Sequence, residues 1–157
     1  MAVHFSQQSL TEFDRIVARY PQKNAAMLPV LYLAQKEFGY ISRDVMEYVA
    51  EIMDVPVARV LGVVTFYTMF NMKPIGRHHI QVCRTLPCAL AGSECITGAI
   101  KEKLKINIGE TTPDGRFTLS EVECLASCGT APMMQVNDDY YENLTEKSVG
   151  EILDGLK

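Results

Sequence analysis

The sequence predicts an α+β fold, in which an all-helical N-terminal domain is followed by a domain that mixes helices and strands. Apolar residues recur at helical spacing through the first half of the chain, whereas alternating runs and turn signals appear only later. The chain has 157 residues, 48% of them hydrophobic, enough to bury one large core or two small ones. We therefore predict domains at 1–76 and 77–157, with a linker at 71–76.

The first predicted helix begins near Ser9. Ser9 and Glu12 have the spacing of a capping box, in which each residue satisfies a free N–H group of the opening turn. The helical pattern then continues until Pro21, which cannot extend it. Its apolar positions are Leu10, Phe13, Ile16, Val17 and Tyr20.

Three further helices are predicted before the linker. One covers 25–38 and ends at Gly39, a residue that tolerates the left-handed conformation of a helix C-terminus. Ser42 is a suitable N-cap for the next helix. Pro56 suits the first position of a short fourth helix over 57–61.

The second half predicts the order β-α-β-β-α, with one further short strand before the last helix. Strands are bounded by turn residues and alternate in polarity, and the helices have apolar residues every three or four positions. The predicted strands are 78–83, 117–122, 132–136 and the short 140–141, and the predicted helices are 89–105 and one that begins at Thr145.

Charge and hydropathy exclude several classes of protein. The net charge is −4, and residues 77–157 contain twelve acidic and eight basic side chains, which argues against nucleic-acid binding. No apolar run approaches the roughly 20 residues that span a bilayer. The first 20 residues lack the basic head and apolar run of a signal peptide, so we expect a cytoplasmic location and reduced thiols.

Four of the five cysteines form two close pairs. Cys83 and Cys88 have C-x4-C spacing, Cys124 and Cys128 have C-x3-C spacing, and each pair follows a predicted strand. Cysteines that only fill a core are usually dispersed, and structural disulfides are rare in a reducing compartment. Soft sulfur ligands suit iron–sulfur clusters or zinc, so the pattern predicts a four-thiolate metal site.

Spacing alone leaves both metals open, since structural zinc sites also use closely paired cysteines. A thiol–disulfide oxidoreductase is disfavoured because C-x-x-C is absent. We expect Cys95, inside a predicted helix, to be a packing residue. We also expect Gly129 to permit positive φ, with hydrogen bonds to sulfur from the region of Gly129 and Thr130. A Rieske-type site at His78 and His79 is disfavoured because neighbouring strand residues face opposite sides.

Two segments around the cysteines carry a family resemblance. Val82–Cys88 (VCRTLPC) and Glu123–Asn137 (ECLASCGTAPMMQVN) resemble the signature of the thioredoxin-like [2Fe-2S] subunits of respiratory complex I, a family that includes the E subunit of bacterial NADH:quinone oxidoreductase. Gly62–Phe70 (GVVTFYTMF) is similar to another stretch of that family, as are Leu33–Gln35 and Gly39–Ile41. The resemblance extends over nearly the whole chain.

The resemblance implies a specific site and fold. By this resemblance, one [2Fe-2S] cluster would be bound by four ligands, Cys83, Cys88, Cys124 and Cys128. The resemblance also implies a thioredoxin-like fold from about residue 77 and a helical domain that docks on a flavoprotein. The residues Phe66, Tyr67, Met69 and Phe70 fit either a core or that interface, and Met133 and Met134 fit a core or rim.

The same resemblance implies a division of labour. The resemblance implies that FMN and NADH are on a partner flavoprotein of the F-subunit type, and this chain has no G-x-G-x-x-G fingerprint of its own. This chain would be a one-electron relay or reservoir, not catalytic alone, beside another iron–sulfur subunit of the peripheral arm. The complex would lie on the cytoplasmic face of the cell membrane, or on the matrix side in mitochondria. The alternatives are a diaphorase subunit of an NAD-linked hydrogenase or formate dehydrogenase, and a zinc-stabilised interaction module.

Overall fold

The computed structural model describes residues 3–156, whose contacts divide into two compact units. One unit ends at Pro74 and the other begins at Ile75. In the described part of the first unit every regular element is helical. These elements are α1 (Gln7–Val17), a 3-10 turn (Lys23–Ala26), α2 (Met27–Phe38), α3 (Arg43–Met53) and α4 (Val57–Phe66).

The start of α1 differs from the prediction. Ser6 is the N-cap, and its hydroxyl accepts a hydrogen bond from the N–H of Ser9. Ser9 lies inside the helix, and its hydroxyl donates to the carboxylate of Glu37 at 2.6 Å. The predicted capping box at Ser9 is therefore wrong, because this serine is used for a contact between α1 and α2. The helix also ends at Val17, before Pro21.

The caps of α2 and α3 agree with the prediction. Gly39 follows α2 with φ of 82°, and the hydroxyl of Ser42 accepts from the N–H of Val45 at the start of α3. The helices enclose the apolar core of this unit. Its fully buried members include Val30, Leu31, Ala34, Ile41, Val49 and Val60.

Helix α4 is longer than predicted and continues through Gly62 to Phe66, with Pro56 as its N-cap. A single glycine weakens a helix by about 1 kcal/mol, which packing of the apolar face overrides. The aromatic segment after it divides between two environments. Phe66 is 76% exposed, whereas Phe70 is 5% exposed and belongs to the core.

The second unit contains a four-stranded mixed sheet, so the α+β prediction is confirmed. The strand order is β2-β1-β3-β4, in which β1 and β2 are parallel and the other neighbours are antiparallel. Its elements are β1 (His78–Cys83), α5 (Leu86–Leu90), α6 (Ser93–Leu104), β2 (Phe117–Val122), a 3-10 turn (Cys128–Thr130), β3 (Met134–Val136), β4 (Asp139–Tyr141) and α7 (Glu146–Gly155).

Two boundaries in this unit depart from the sequence prediction. The predicted helix at 89–105 is two helices, because Gly92 has φ of 93° and separates α5 from α6. Strand β3 begins at Met134, after Pro132, which has no N–H to give to a ladder. Strands β1 and β2 have the predicted bounds, and Thr145 caps α7.

The entry to β1 requires a glycine. The N–H of Gly76 donates to the hydroxyl of Thr118 at 2.6 Å, and a Cβ at this position would lie 2.8 Å from the backbone of Phe117. This close approach fixes β1 beside β2. The core beneath the sheet is formed by Ile80, Val82, Ile96, Ile100, Leu119, Val136, Val149 and Leu153. None of the helices described between residues 3 and 156 is long and apolar enough to cross a membrane.

Candidate metal centre

The parallel pairing of β1 and β2 brings both cysteine loops to one edge of the sheet. Cys83, the last residue of β1, is the partner of Val122, the last residue of β2. The N–H of Arg84 donates to the carbonyl of Val122 at 3.1 Å, so the strands remain together as they end. Cys124 follows only two residues later. The register therefore supplies the common location that the four-thiolate prediction requires.

The first cysteine pair is buried. Cys83 is 2% exposed and Cys88, on the short helix α5, is 1% exposed. Both pack against Met133, which is fully buried and whose carbonyl accepts from the N–H of Cys83 at 3.2 Å. Of the two alternatives predicted for Met133, a core position or a rim position, the structure shows the core position. Its side chain packs against both cysteines of this pair.

The second pair is exposed. The sulfurs of Cys124 and Cys128 are 3.8 Å apart. Two thiolates bound at about 2.3 Å to one tetrahedral metal are separated by about the same distance. The N–H of Ala126 donates to the sulfur of Cys124 at 3.3 Å. Positive φ occurs at Ala126 (62°) and not at Gly129, which corrects the prediction made for that glycine.

Side chains of the β4 region hold the second loop. The carboxylate of Glu142 accepts from the hydroxyls of Ser127 and Thr130, the latter at 2.6 Å, and these bonds lower the pKa of Glu142. The hydroxyl of Tyr140 donates to the carbonyl of Leu125 at 2.9 Å. Neither Glu142 nor Tyr140 is predicted as a site residue from the sequence. No periodicity marks them, because each reaches its partner across a turn from a short edge strand.

The buried pair contains one thiol that is more acidic than the other. Burial raises the pKa of Cys83, but hydrogen bonds from the Thr85 side chain and the Leu125 backbone outweigh burial, so its pKa lies below the ordinary value. Burial and the contact with Cys83 both raise the pKa of Cys88. The backbone and hydroxyl hydrogen bonds described at these sulfurs come from Thr85, Leu125 and Met133, and donors near Gly129 and Thr130 stay a prediction.

The exposed pair shows the same asymmetry. The N–H of Ala126 lowers the pKa of Cys124, with further hydrogen bonds from Cys128 and Thr85. The hydrogen bond to Cys124 and the negative charge of Cys124 raise the pKa of Cys128. The negative charge of Cys83 opposes ionisation of both exposed thiols. A bound cation would relieve that repulsion.

The other thiol and the paired histidines lie elsewhere. Cys95 is exposed on α6, so the prediction that it packs in the core is wrong. His78 and His79 begin β1, whereas Cys83 ends it, about 16 Å along an extended strand. His79 makes a 2.8 Å hydrogen bond with Ser120, and burial lowers its pKa. These histidines do not join the cysteine pairs.

The donor set fits a two-iron cluster. Among residues 3–156, no three His, Cys, Asp or Glu side chains are placed as ligands of one metal ion. The thiols are grouped two and two, one pair from each loop. A [2Fe-2S] centre takes two protein ligands on each of its irons, and thiolates are its usual ligands. The sulfur separation in the exposed pair matches one such iron.

Comparison with known sequences gives a consistent family. The model of the thioredoxin-like [2Fe-2S] ferredoxin family matches residues 13–157. The E subunit of the NADH-quinone oxidoreductase of Rickettsia conorii is 46% identical over 156 residues, covering 98% of this chain and 93% of that protein. The mitochondrial NADH dehydrogenase [ubiquinone] flavoprotein 2 of Dictyostelium discoideum is also 46% identical over 156 residues. That match covers 98% of this chain and 63% of the Dictyostelium protein.

A solved structure shares the fold at low sequence identity. An NAD+-reducing [NiFe]-hydrogenase in the air-oxidised state superimposes with a TM-score of 0.73 and 17% identity. The match covers 83% of this chain and 22% of the hydrogenase chain. At this identity the similarity concerns the fold alone.

Proposed function

This chain belongs to the thioredoxin-like [2Fe-2S] ferredoxin family, and from that premise we propose that it is the electron-transfer subunit of an NADH:quinone oxidoreductase. The observation that carries the proposal is the parallel register of β1 and β2, which brings two cysteine pairs to one edge. We assign the ligands of one [2Fe-2S] cluster to Cys83 and Cys88 in one loop and to Cys124 and Cys128 in the other.

The chain contributes to the enzyme by holding this centre rather than by binding substrate. A [2Fe-2S] cluster supplies one-electron transfer, whereas NADH delivers a hydride, so a flavin has to stand between the two. We place FMN and NADH on a partner flavoprotein of the F-subunit type, because this sequence has no dinucleotide fingerprint. Met133 and the burial of Cys83 and Cys88 keep water from the inner side of the site.

The surroundings of the chain follow from the same assignment. We propose that the helical domain, 1–76, docks on the flavoprotein, and that the cluster domain, 77–157, lies near a further iron–sulfur subunit of the peripheral arm. The exposed ring of Phe66 supports a contact on the helical side. The complex would lie on the cytoplasmic face of the cell membrane, or on the matrix side in a mitochondrion.

Anaerobic purification tests the cluster directly. We expect a red-brown protein with two irons and two acid-labile sulfides per chain, whose colour bleaches on reduction as an electron-paramagnetic signal appears. The Cys95→Ser variant is the matched control and keeps these properties. A colourless preparation with stoichiometric zinc would overturn the assignment and favour the zinc-stabilised interaction module.

Co-purification tests the parent complex. We expect the tagged chain to retain an FMN-containing, NADH-oxidising partner together with membrane subunits that reduce quinone. Recovery of a hydrogenase or formate dehydrogenase large subunit would instead support the diaphorase alternative. The fold shared with the NAD+-reducing hydrogenase is compatible with either assembly, so the identity of the retained partner decides between them.

A further inference from the structure

Thr85 occupies a helix cap position without acting as a cap. It precedes α5 with extended backbone dihedrals (φ −76°, ψ 168°), and no side-chain capping bond is made there. A threonine at this position ordinarily accepts a hydrogen bond from an N–H of the first helical turn. The Thr85 hydroxyl is therefore available for another partner.

That partner is sulfur. The hydroxyl oxygen of Thr85 is 3.3 Å from the sulfur of Cys83, within hydrogen-bond range of that sulfur. The Thr85 side chain also lowers the pKa of Cys124, in the other loop. A thiolate that ligates a metal has no proton to donate, so the hydroxyl must be the donor once the site is loaded.

The other hydroxyls of the site are already engaged. Ser127 and Thr130 both donate to the carboxylate of Glu142. Thr85 is half-buried, and removing its hydroxyl leaves the sulfur of Cys83 without that donor. The hydroxyls of Ser127 and Thr130 cannot replace the Thr85 hydroxyl without giving up their hydrogen bonds to Glu142.

We propose that Thr85 is a positioning residue that donates its hydroxyl hydrogen to the sulfur of Cys83 and raises the midpoint potential of the cluster. The inference rests on the proposed function. Reduction adds negative charge to the cluster, and a hydrogen bond to sulfur stabilises the more negative state. Loss of the donor therefore favours the oxidised form.

The test is a redox titration of the full-length protein followed by electron-paramagnetic resonance. Thr85→Val and Thr85→Ala remove the hydroxyl, and Thr85→Ser retains it. Thr111→Val is the control, because it removes a 2.7 Å hydroxyl contact with Thr118 at the opposite end of β2. We expect the reduced-to-oxidised ratio at fixed potential to fall by up to about tenfold in the first two variants, equivalent to about 59 mV for one electron.

The serine variant and the Thr111→Val control should retain the wild-type potential. Unchanged potentials in both hydroxyl-free variants would overturn the inference while leaving the cluster assignment intact. If valine prevents loading, the smaller alanine variant decides. If neither hydroxyl-free variant holds a cluster but the serine variant does, Thr85 has a structural role and the proposed tuning role is overturned. Wild-type protein without a cluster would overturn the proposed function and the inference together.

Discussion

The two cysteine loops support their sulfurs by different physical means. The loop from Cys83 to Cys88 leaves a central strand, continues into helix α5 and buries both thiols against Met133. The loop from Cys124 to Cys128 leaves an edge strand, remains exposed and is held by polar side chains. Packing fixes the first pair, whereas hydrogen bonds fix the second.

This difference has a thermodynamic consequence. Apolar burial does not depend on pH or salt to first order, but a carboxylate that accepts two hydroxyl bonds depends on its ionisation. The buried loop should therefore be sensitive to changes in volume. The exposed loop should respond to changes in charge and hydrogen bonding at Glu142.

The largest effect should come from removing a ligand in each loop. We expect Cys88→Ser to abolish the cluster and Cys124→Ser to reduce cluster content by more than about tenfold. Losing a residue that only contacts a metal ligand already lowers metal affinity by about tenfold or more, and losing a ligand should cost at least as much. The serine hydroxyl at position 88 would also be buried in an apolar site. Iron and sulfide content measure both. Native content in either variant would remove that cysteine from the ligand set, and Cys95→Ser is the control.

Met133→Ala should give the next largest effect, on the buried loop. Truncating a fully buried methionine costs about 2–5 kcal/mol, through lost burial and a residual cavity. Denaturant unfolding of the apo-protein measures this free energy. The control is Met72→Ala, because Met72 is 48% exposed and its truncation should change stability little. Equal small losses in both variants would show that the buried loop does not depend on packing.

Glu142→Gln should loosen the exposed loop by a smaller amount. The amide oxygen can still accept a hydrogen bond, but the charge that strengthens bonds from Ser127 and Thr130 is lost. We expect cluster release to a chelator near neutral pH to be several-fold faster. The control is Glu151→Gln, a surface change on α7 beside Lys147. Equal release rates in the two variants would argue against a holding role for Glu142.

The same comparison has a defined pH dependence. Hydrogen bonds lower the pKa of Glu142 in the folded protein, so its contribution to stability is fully present above the unfolded pKa of about 4.3. That contribution is lost as the pH falls through the lowered pKa. Urea unfolding of the apo-protein should show a wild-type advantage over Glu142→Gln at neutral pH that disappears in acid. If the difference in unfolding free energy between the two proteins stayed constant across this pH range, the ionised carboxylate of Glu142 would not be what stabilises the loop.

Charge reversal beside the loops should have the smallest effect. Glu123 pairs with Arg84 at 2.7 Å, and both side chains are more than half exposed, so the pair adds little stability. Glu121→Lys and Glu123→Lys each make the surroundings less negative and should raise the midpoint potential slightly. The shift should shrink as salt is added. Potentiometry that gives the same midpoint for both variants and the wild type would show that surface charge does not tune the site.

The regular parts of the second unit could be predicted from sequence because local patterns determine them. Strands β1 and β2 alternate in polarity and end at turn signals, so their bounds were predictable. The parallel register of Cys83 with Val122 was not, because pairing depends on residues distant in the chain. The paired cysteine spacing nevertheless identified four residues that the fold brings to one edge.

The errors have particular causes. Ser9 has capping-box spacing, but its hydroxyl is used by Glu37 on another helix, and such a tertiary contact overrides a local signal. Glycine at position 129 is suited to positive φ, yet Ala126 adopts it, where its N–H reaches the sulfur of Cys124. Thr85 could have been found, since a threonine two residues before Pro87 is a recognisable helix-start signal.

The strand order also determines how the native protein opens. Strand β1 has a neighbour on each side, whereas β2 is at the edge of the sheet, and the outer bonds described for it lie in its first half, at Phe117 and Leu119. Amide hydrogens near Val122 should therefore exchange with solvent sooner than those of β1. Local fraying there would break the bond between Arg84 and Val122 and loosen the loop of Cys124 and Cys128 while the rest of the sheet persists. Iron and sulfide would then reach a folded protein with one half of the site open.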